Sequence, residues 1–171
     1  MAISSAFSLP CENNTGGLVN VWLTDIANVS SFTLSGSEYT AATMVSSAVF
    51  YSFGFEQDTA EMRNPSSREN YSTVVNHEIE FYLTKLNTAQ RDALQDIIDS
   101  STCGMCAIVE DANGNKWVLG YSENQTTARP LKLQSIESLT GKAFTDANGS
   151  TVILASSDTE MPRVFTGTVP V

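Results

Sequence analysis

The tetrapeptide Asp-Ala-Asn-Gly occurs at residues 111–114 and again at 146–149, and each copy leads into an alternating stretch, Lys116 to Tyr121 and Thr151 to Ala155. Asn-Gly between alternating apolar runs is the strongest short-range hairpin signal, because a type I′ turn needs positive φ at both central residues. The chain is therefore expected to be mainly β and built on antiparallel hairpins. Such a scaffold, with no recognisable reactive cluster, points toward binding or assembly instead of catalysis.

At 171 residues the chain fits a single domain over 1–171, which by the usual scaling buries about 70% of its unfolded surface and needs no metal or disulfide for stability. Nine Lys and Arg stand against 19 Asp and Glu, a net charge of −10. That balance favours solubility and opposes a grip on nucleic-acid phosphates. The bases are also dispersed, so no run of them makes a polybasic patch. No stretch approaches the roughly 18 apolar residues of a membrane span, and Met1 to Pro10 lacks the basic and apolar regions of a secretion signal. A soluble protein made inside the cell is the expectation, and the Asn-x-Ser/Thr patterns at Asn13, Asn28, Asn70, Asn124 and Asn148 then reflect composition.

Residues 1–17 have turn composition and read as a flexible N-terminal arm. Leu18 to Thr24 and Val29 to Leu34 carry β-formers, the second broken by Ser35-Gly36-Ser37. Val49, Tyr51, Phe53 and Phe55 share one face of a further strand. Glu56 to Ser72 reads as a long exposed loop, interrupted by Pro65, which cannot donate to a ladder. Beyond it Val75, His77, Ile79, Phe81 and Leu83 alternate with Asn76, Glu78, Glu80, Tyr82 and Thr84. The simplest pairing joins the strands on either side of the loop as one extended hairpin.

One helix is expected over residues 88–100, with Asn87 as N-cap, Gln90 as its reciprocal partner, an apolar stripe of Ala93, Leu94, Ile97 and Ile98, and an acidic face of Asp92, Asp96 and Asp99. Met105 to Glu110 with Lys116 to Tyr121 should form the first Asn-Gly hairpin, Leu131 to Leu139 another strand, and Ala143 to Ala155 the second hairpin. Residues 160–171 read as a flexible or edge-pairing C-terminal arm. The fold expected is an antiparallel β-sandwich or barrel with one packed helix and a long hairpin loop.

Cys103-Gly104-Met105-Cys106 is the sharpest chemical motif, since a C-x-x-C pair can ligate zinc or cycle as a dithiol. Redox pairs of this kind sit at the start of a helix, whereas this one follows a helix and leads into a strand. Cys11, His77, Cys103 and Cys106 make one arithmetically possible zinc set, against which stands the simpler account of packed thiols and a core-margin histidine. A nucleobase deaminase needs H-x-E and P-C-x-x-C; here Ile79 follows His77 by two and Thr102 precedes the Cys pair. An EF-hand beginning at Asp111 would place Lys116 where Gly is needed and Ser122 where Glu is needed. A Ser-His-Asp arrangement could draw only on His77, on an apolar strand face. The residues therefore assign no catalytic, cofactor-binding or metal site.

The order of Val49 to Phe55, the loop Glu56 to Ser72, Val75 to Leu83, the helix over 88–100 and the Asn-Gly hairpins with Lys116-Trp117-Val118-Leu119-Gly120 resembles the tail-tube subunits of tailed bacteriophages and related injection machines. The resemblance spans about Leu18 to Ser156. It implies a non-enzymatic virion protein, made in the host cytoplasm, whose copies close into hexameric rings by joining their sheets and stack through arms and long loops. Partners would be further copies and other tail proteins, with DNA passing through without sequence-specific binding. Six copies at −10 each place on the order of 60 negative charges on a ring, and those facing a channel repel phosphates within a Debye length of about 8 Å. Tail-completion and head-tail joining proteins share this fold. A monomeric β-sandwich module that binds carbohydrate or a receptor through Trp22, Tyr51 or Tyr82 is the alternative from another class.

Overall fold

The computed structural model describes residues 6–123 and 128–171. The chain runs through β1 (Leu18–Asp25), β2 (Val29–Ser35), β3 (Glu38–Met44), β4 (Tyr51–Phe53), β5 (Glu61–Arg63), β6 (Ser66–Glu69) and β7 (Ser72–Thr84) to α1 (Thr88–Ser100). There follow β8 (Met105–Asp111), β9 (Lys116–Leu119), β10 (Lys132–Leu139), β11 (Gly149–Asp158) and β12 (Arg163–Val164). Among the described residues the protein is mainly β, with three antiparallel sheets and one α-helix. The first sheet has the order β12-β9-β8-β1-β4, the second β10-β11-β7-β5 with β6 also on β7, and β2-β3 form a separate hairpin.

The burial pattern explains why two strands read so differently in sequence. Met105 to Val109 of β8 are all buried, because the first sheet is covered on both faces and such strands become continuous apolar runs. Met105, Ala107 and Val109 join Val21 and Leu23 against Ile79, Phe81, Leu83, Val152 and Leu154 of the second sheet, forming the main core. On the opposite face Cys106, Ile108 and Val118 meet Phe32, Tyr39, Phe50, Phe165 and Val169. That outer cover is an aromatic cluster, with Phe32 5.1 Å from Tyr39 and 5.0 Å from Tyr121 between ring centroids. β7 instead buries only alternate residues, since the outer face of its sheet is open.

The helix has the bounds that its cap and stripe suggest. Asn87 accepts a 2.8 Å hydrogen bond from the Gln90 amide, but the Gln90 side chain turns inward and donates to the Leu83 carbonyl at 2.6 Å instead of reaching back to the cap. Gln90, Leu94 and Ile97 are consequently the buried positions, and Ile98, expected in the stripe, is 44% exposed.

The two Asn-Gly sites differ from expectation. At the first, Gly114 (φ 85) alone is left-handed, its amide donates to Asp111 O at 3.0 Å, and Asp111 N donates to Asn115 O at 2.9 Å. This is a three-residue loop, a type I turn closed by a left-handed glycine, and not type I′. The reason is local: the Asp111 carboxylate accepts from the amides of Asn113 and Asn115, which locks the type I form. At the second site the hairpin expected over 143–155 does not form. β11 begins at Gly149 and pairs with β10, so residues 140–148 are its connection. Asn148 instead clasps the β7-to-helix corner, accepting from Lys85 N at 2.8 Å and, through Oδ1, from Leu86 N at 3.0 Å.

The extended hairpin expected across the long loop is also absent. β4 pairs with β1 in the first sheet, while β7 takes β11 on one side and β5 and β6 on the other. With both its edges filled, β7 has no place for β4. The segment read as a loop therefore contains two strands, β5 and β6, separated at Pro65. Residues 6–17 have no regular element. Residues 160–171, expected as an arm, lie along the first sheet: β12 pairs with β9, Phe165 and Val169 are buried, and Pro170 O accepts from Phe50 N at 2.8 Å.

Candidate functional site

The second sheet leaves one face uncovered. Alternation turns Glu78, Glu80 and Tyr82 of β7 outward, and the registers set Glu61, Arg63, Thr151, Ile153 and Glu137 on the same face. Arg63 lies 3.0, 3.4 and 3.6 Å from the carboxylates of Glu80, Glu61 and Glu78. One guanidinium among three carboxylates leaves this patch acidic. Exposed ion pairs of this kind contribute little stability, of order 0–1 kcal/mol each. Among the described residues β5 pairs only with β7 and β10 only with β11, and the β10 margin is open beyond its start, where Leu131 bridges Met105 and Leu133 N donates to Ser101 Oγ at 2.8 Å.

The β6–β7 hairpin projects from one end of this sheet. Glu69 faces Ser72 in register, so Asn70 and Tyr71 are a two-residue loop, and both have positive φ, 47° and 66°. A type I′ turn therefore stands here. Glycine is the residue such a second position favours, yet Tyr71 occupies it with its side chain 96% exposed. Arg68, also exposed, forms no ion pair among the described residues.

At the far end of β7 an open cleft of about 690 Å³ separates α1 from β4 and the end of β1. Its floor is apolar, with Leu23, Phe53, Leu83, Ile97 and Met105, and its rim carries Asp25, Asp96 and Asp99 without a basic residue. Gln90 also lines it. That side chain is 7% exposed, and its buried Oε1 has no hydrogen-bond partner among the described residues.

A polar seam closes the opposite end of the sandwich. Ser122 Oγ donates to Asp158 Oδ1 at 2.9 Å, joined by Thr159 N at 2.6 Å. His77 is 2% exposed and its Nε2 lies 2.8 Å from Glu160 O. Because a carbonyl only accepts, Nε2 carries the proton. The Glu160 carboxylate takes Glu123 N at 3.1 Å and the Arg163 guanidinium at 2.7 Å, which raises the Arg163 pKa. Burial, followed by the charges of Glu123 and Glu160, pushes the Tyr39 hydroxyl well above its ordinary pKa. The seam ties β7 and β11 to the C-terminal segment.

The suggested zinc set is not brought together. Cys11 and Cys103 are exposed, Cys106 is buried in the outer cover, and His77 serves the seam. Among the described residues no group of three His, Cys, Asp or Glu side chains is placed to hold a metal ion. Burial raises the Cys106 thiol pKa far above its usual value. Of the three aromatics considered for ligand binding, Trp22 packs against the outer cover, Tyr82 is half-buried, and Tyr51 is 64% exposed and lines the cleft. Tyr71 and Arg68 did not stand out in the sequence, and Gln90 did so only as a capping partner. The one available signal was a bulky aromatic directly after Asn70, where a turn would favour glycine.

No family model matches the chain, and neither the curated proteins nor the solved structures contain a match to it.

Proposed function

We propose that this chain is a non-enzymatic structural subunit that assembles with copies of itself into rings, and that these stack as the tube of a phage tail or a related injection machine. The observation that carries the reading is the contrast between the two sheets. The first is covered on both faces and ends in two short edge strands, the three-residue β4 and the two-residue β12. The second keeps one face open, and its margins are β5 and the eight-residue β10, open beyond its start. Long open margins template pairing with another chain, and natural proteins ordinarily blunt them. Pairing of β10 in one copy with the β5 margin of the next is a head-to-tail contact, which generates a ring when its rotation closes. The acidic outer face would then line the channel, where it repels DNA phosphates instead of binding them.

Assembly should be salt-dependent in a defined direction. Each copy carries a net charge of −10, so subunits repel at low ionic strength and screening brings them together. Sedimentation and electron microscopy over a salt series at high protein concentration test this: rings or tubes should increase with salt. Strictly monomeric protein throughout would overturn the reading and favour the monomeric binding module, for which the Tyr51 cleft is the specific observation.

A further inference from the structure

We infer that the cleft between α1 and β4 takes an extended segment of a different protein, which adds to the open edge of β4 and directs a lysine or arginine toward Asp25, Asp96 and Asp99. The inference goes beyond self-assembly and stands apart from it, because neither β10 nor β5 lines the cleft.

The backbone supplies the first half of the site. β4 ends the first sheet and pairs only with β1 among the described residues, so its other side is a free strand edge, which templates pairing with another chain. The segment is anchored on both sides: Phe50 N donates to Pro170 O at 2.8 Å and Glu56 N to Tyr82 O at 3.3 Å. Between these anchors Tyr51, Ser52, Phe53 and Gly54 all line the cleft, and a Cβ placed on Gly54 would meet nothing within 4 Å. A strand edge bordering a groove takes up extended peptides through main-chain hydrogen bonds, and the groove selects their side chains. With three residues, β4 is too short to template a sheet by itself. Selection therefore falls to the groove.

Charge chooses the occupant. Asp25, Asp96 and Asp99 are exposed at the rim and form no ion pair among the described residues. Asp96 and Asp99 lie toward the C-terminal end of α1, whose last turn has no basic residue. A cation there meets these carboxylates and the negative end of the helix dipole together. The other end of the cleft is neutral, with Phe53, Gly54 and Ala89. From Ala89 to Asp99 the helix rises about 15 Å, the span of about four or five extended residues. The segment that fits places alternate apolar side chains on the floor and a base at the Asp99 end.

This chain does not provide such a segment. Arg129 to Leu133 run into β10, and Leu131 is buried. Lys142 and Ala143, beside the exposed Phe144, have both amides taken by Asp146 Oδ2 at 2.8 Å, so they cannot lie as a strand. A second copy would also bring a net charge of −10 to an acidic cleft. A partner with a basic, apolar segment is the complementary one.

A display library of random dodecapeptides, selected on the full chain at low concentration, is the probe. Selected peptides should carry Lys or Arg at one end of an alternating apolar run. They should bind at least tenfold more weakly to the Asp25→Asn, Asp96→Asn, Asp99→Asn variant and to Ala93→Arg, which fills the cleft from the helix with a good helix former. N-methylation of every second peptide amide should cost as much in one of its two phases, a loss that main-chain pairing produces and side-chain contact does not. The Asn variant relieves like-charge repulsion and keeps the test open should Ala93→Arg fail to fold. Selection of no peptide, selection of peptides without a base, or equal binding by the Asn variant would overturn the inference. So would a small alkylammonium that binds the cleft when no peptide does, or self-association of the chain that Ala93→Arg abolishes. Ring or tube formation should be unchanged in Ala93→Arg, so failure of peptide binding and failure of self-assembly are read separately.

Discussion

Trp117 Nε1 donates to Asp111 Oδ2 at 3.2 Å across the mouth of the β8–β9 hairpin. The same carboxylate accepts from Asn113 N, Asn115 N and Asn115 Nδ2, so one side chain organises the whole turn. Partial burial is the largest single influence on Asp111 and raises its pKa, but the hydrogen bonds from Asn115, Trp117 and Asn113 together outweigh it and leave the group below its ordinary value.

A carboxylate whose pKa is depressed on folding stabilises the protein above the unfolded value and loses that contribution as pH falls through the folded one. Asp111 should therefore contribute fully above about pH 4, its unfolded range, and progressively less below it. Asp111→Ala should cost about 2 kcal/mol at pH 7 and flatten the acid limb of stability. Denaturant melts of the two proteins between pH 2 and 7 measure both effects, and parallel pH profiles would exclude this role.

Gly149 starts β11 beside β7, and a Cβ there would lie 2.3 Å from Leu83 O and 2.5 Å from the Tyr82 hydroxyl oxygen. Backbone cannot give way as a flexible side chain does, so Gly149→Ala should destabilise the fold by about 2–3 kcal/mol. Gly36→Ala is a useful control: it meets nothing within 4 Å and bears only the strain of φ 64°, so about 1 kcal/mol is expected. A smaller loss at Gly149 than at Gly36 would contradict the close approach.

The thiols should divide by burial. Cys11 and Cys103 are exposed and Cys106 is enclosed, with its thiol held protonated by its apolar surroundings. Alkylation of native protein, followed by mass spectrometry, should label the first two and spare Cys106 until the chain unfolds. Replacing Cys103 and Cys106 together by Ala should cost at most a few kcal/mol, roughly the loss of packing. A strong chelator should leave the melting temperature unchanged. Stoichiometric zinc with chelator-induced unfolding would instead identify a structural metal site.

What could be read in advance depended on whether the deciding contact was local. The helix over 88–100 was legible because its cap is three residues from the amide it satisfies. β7 was legible because its sheet has one wet face, which imprints alternation on the chain. β5 and β6 were not, since they are polar, exposed strands held by pairing with β7, and tertiary pairing overrides weak local preference. The second Asn-Gly misled because Asn148 is engaged by Lys85 and Leu86, residues far back in sequence. The cleft was invisible for the same reason: it is made by β4 and α1, which are not sequential neighbours, and by a glutamine whose capping role alone was apparent.

The C-terminal segment offers the sharpest test of the outer cover. Phe165 is 2% exposed among Phe32, Tyr39, Ile108 and Val118, and its amide donates to Lys116 O at 2.8 Å. A segment acting only as a detachable arm would leave the fold unchanged when its side chains are cut back. A segment that covers a sheet would not. Phe165→Ala should therefore cost about 3–5 kcal/mol, through lost transfer energy and the cavity left behind. It should also accelerate amide exchange along β9, whose margin β12 protects. Phe144→Ala, at a fully exposed ring, should shift stability by no more than about 0.5 kcal/mol. Equal effects of the two substitutions in a thermal melt would mean that residues 160–171 do not cover the first sheet in solution.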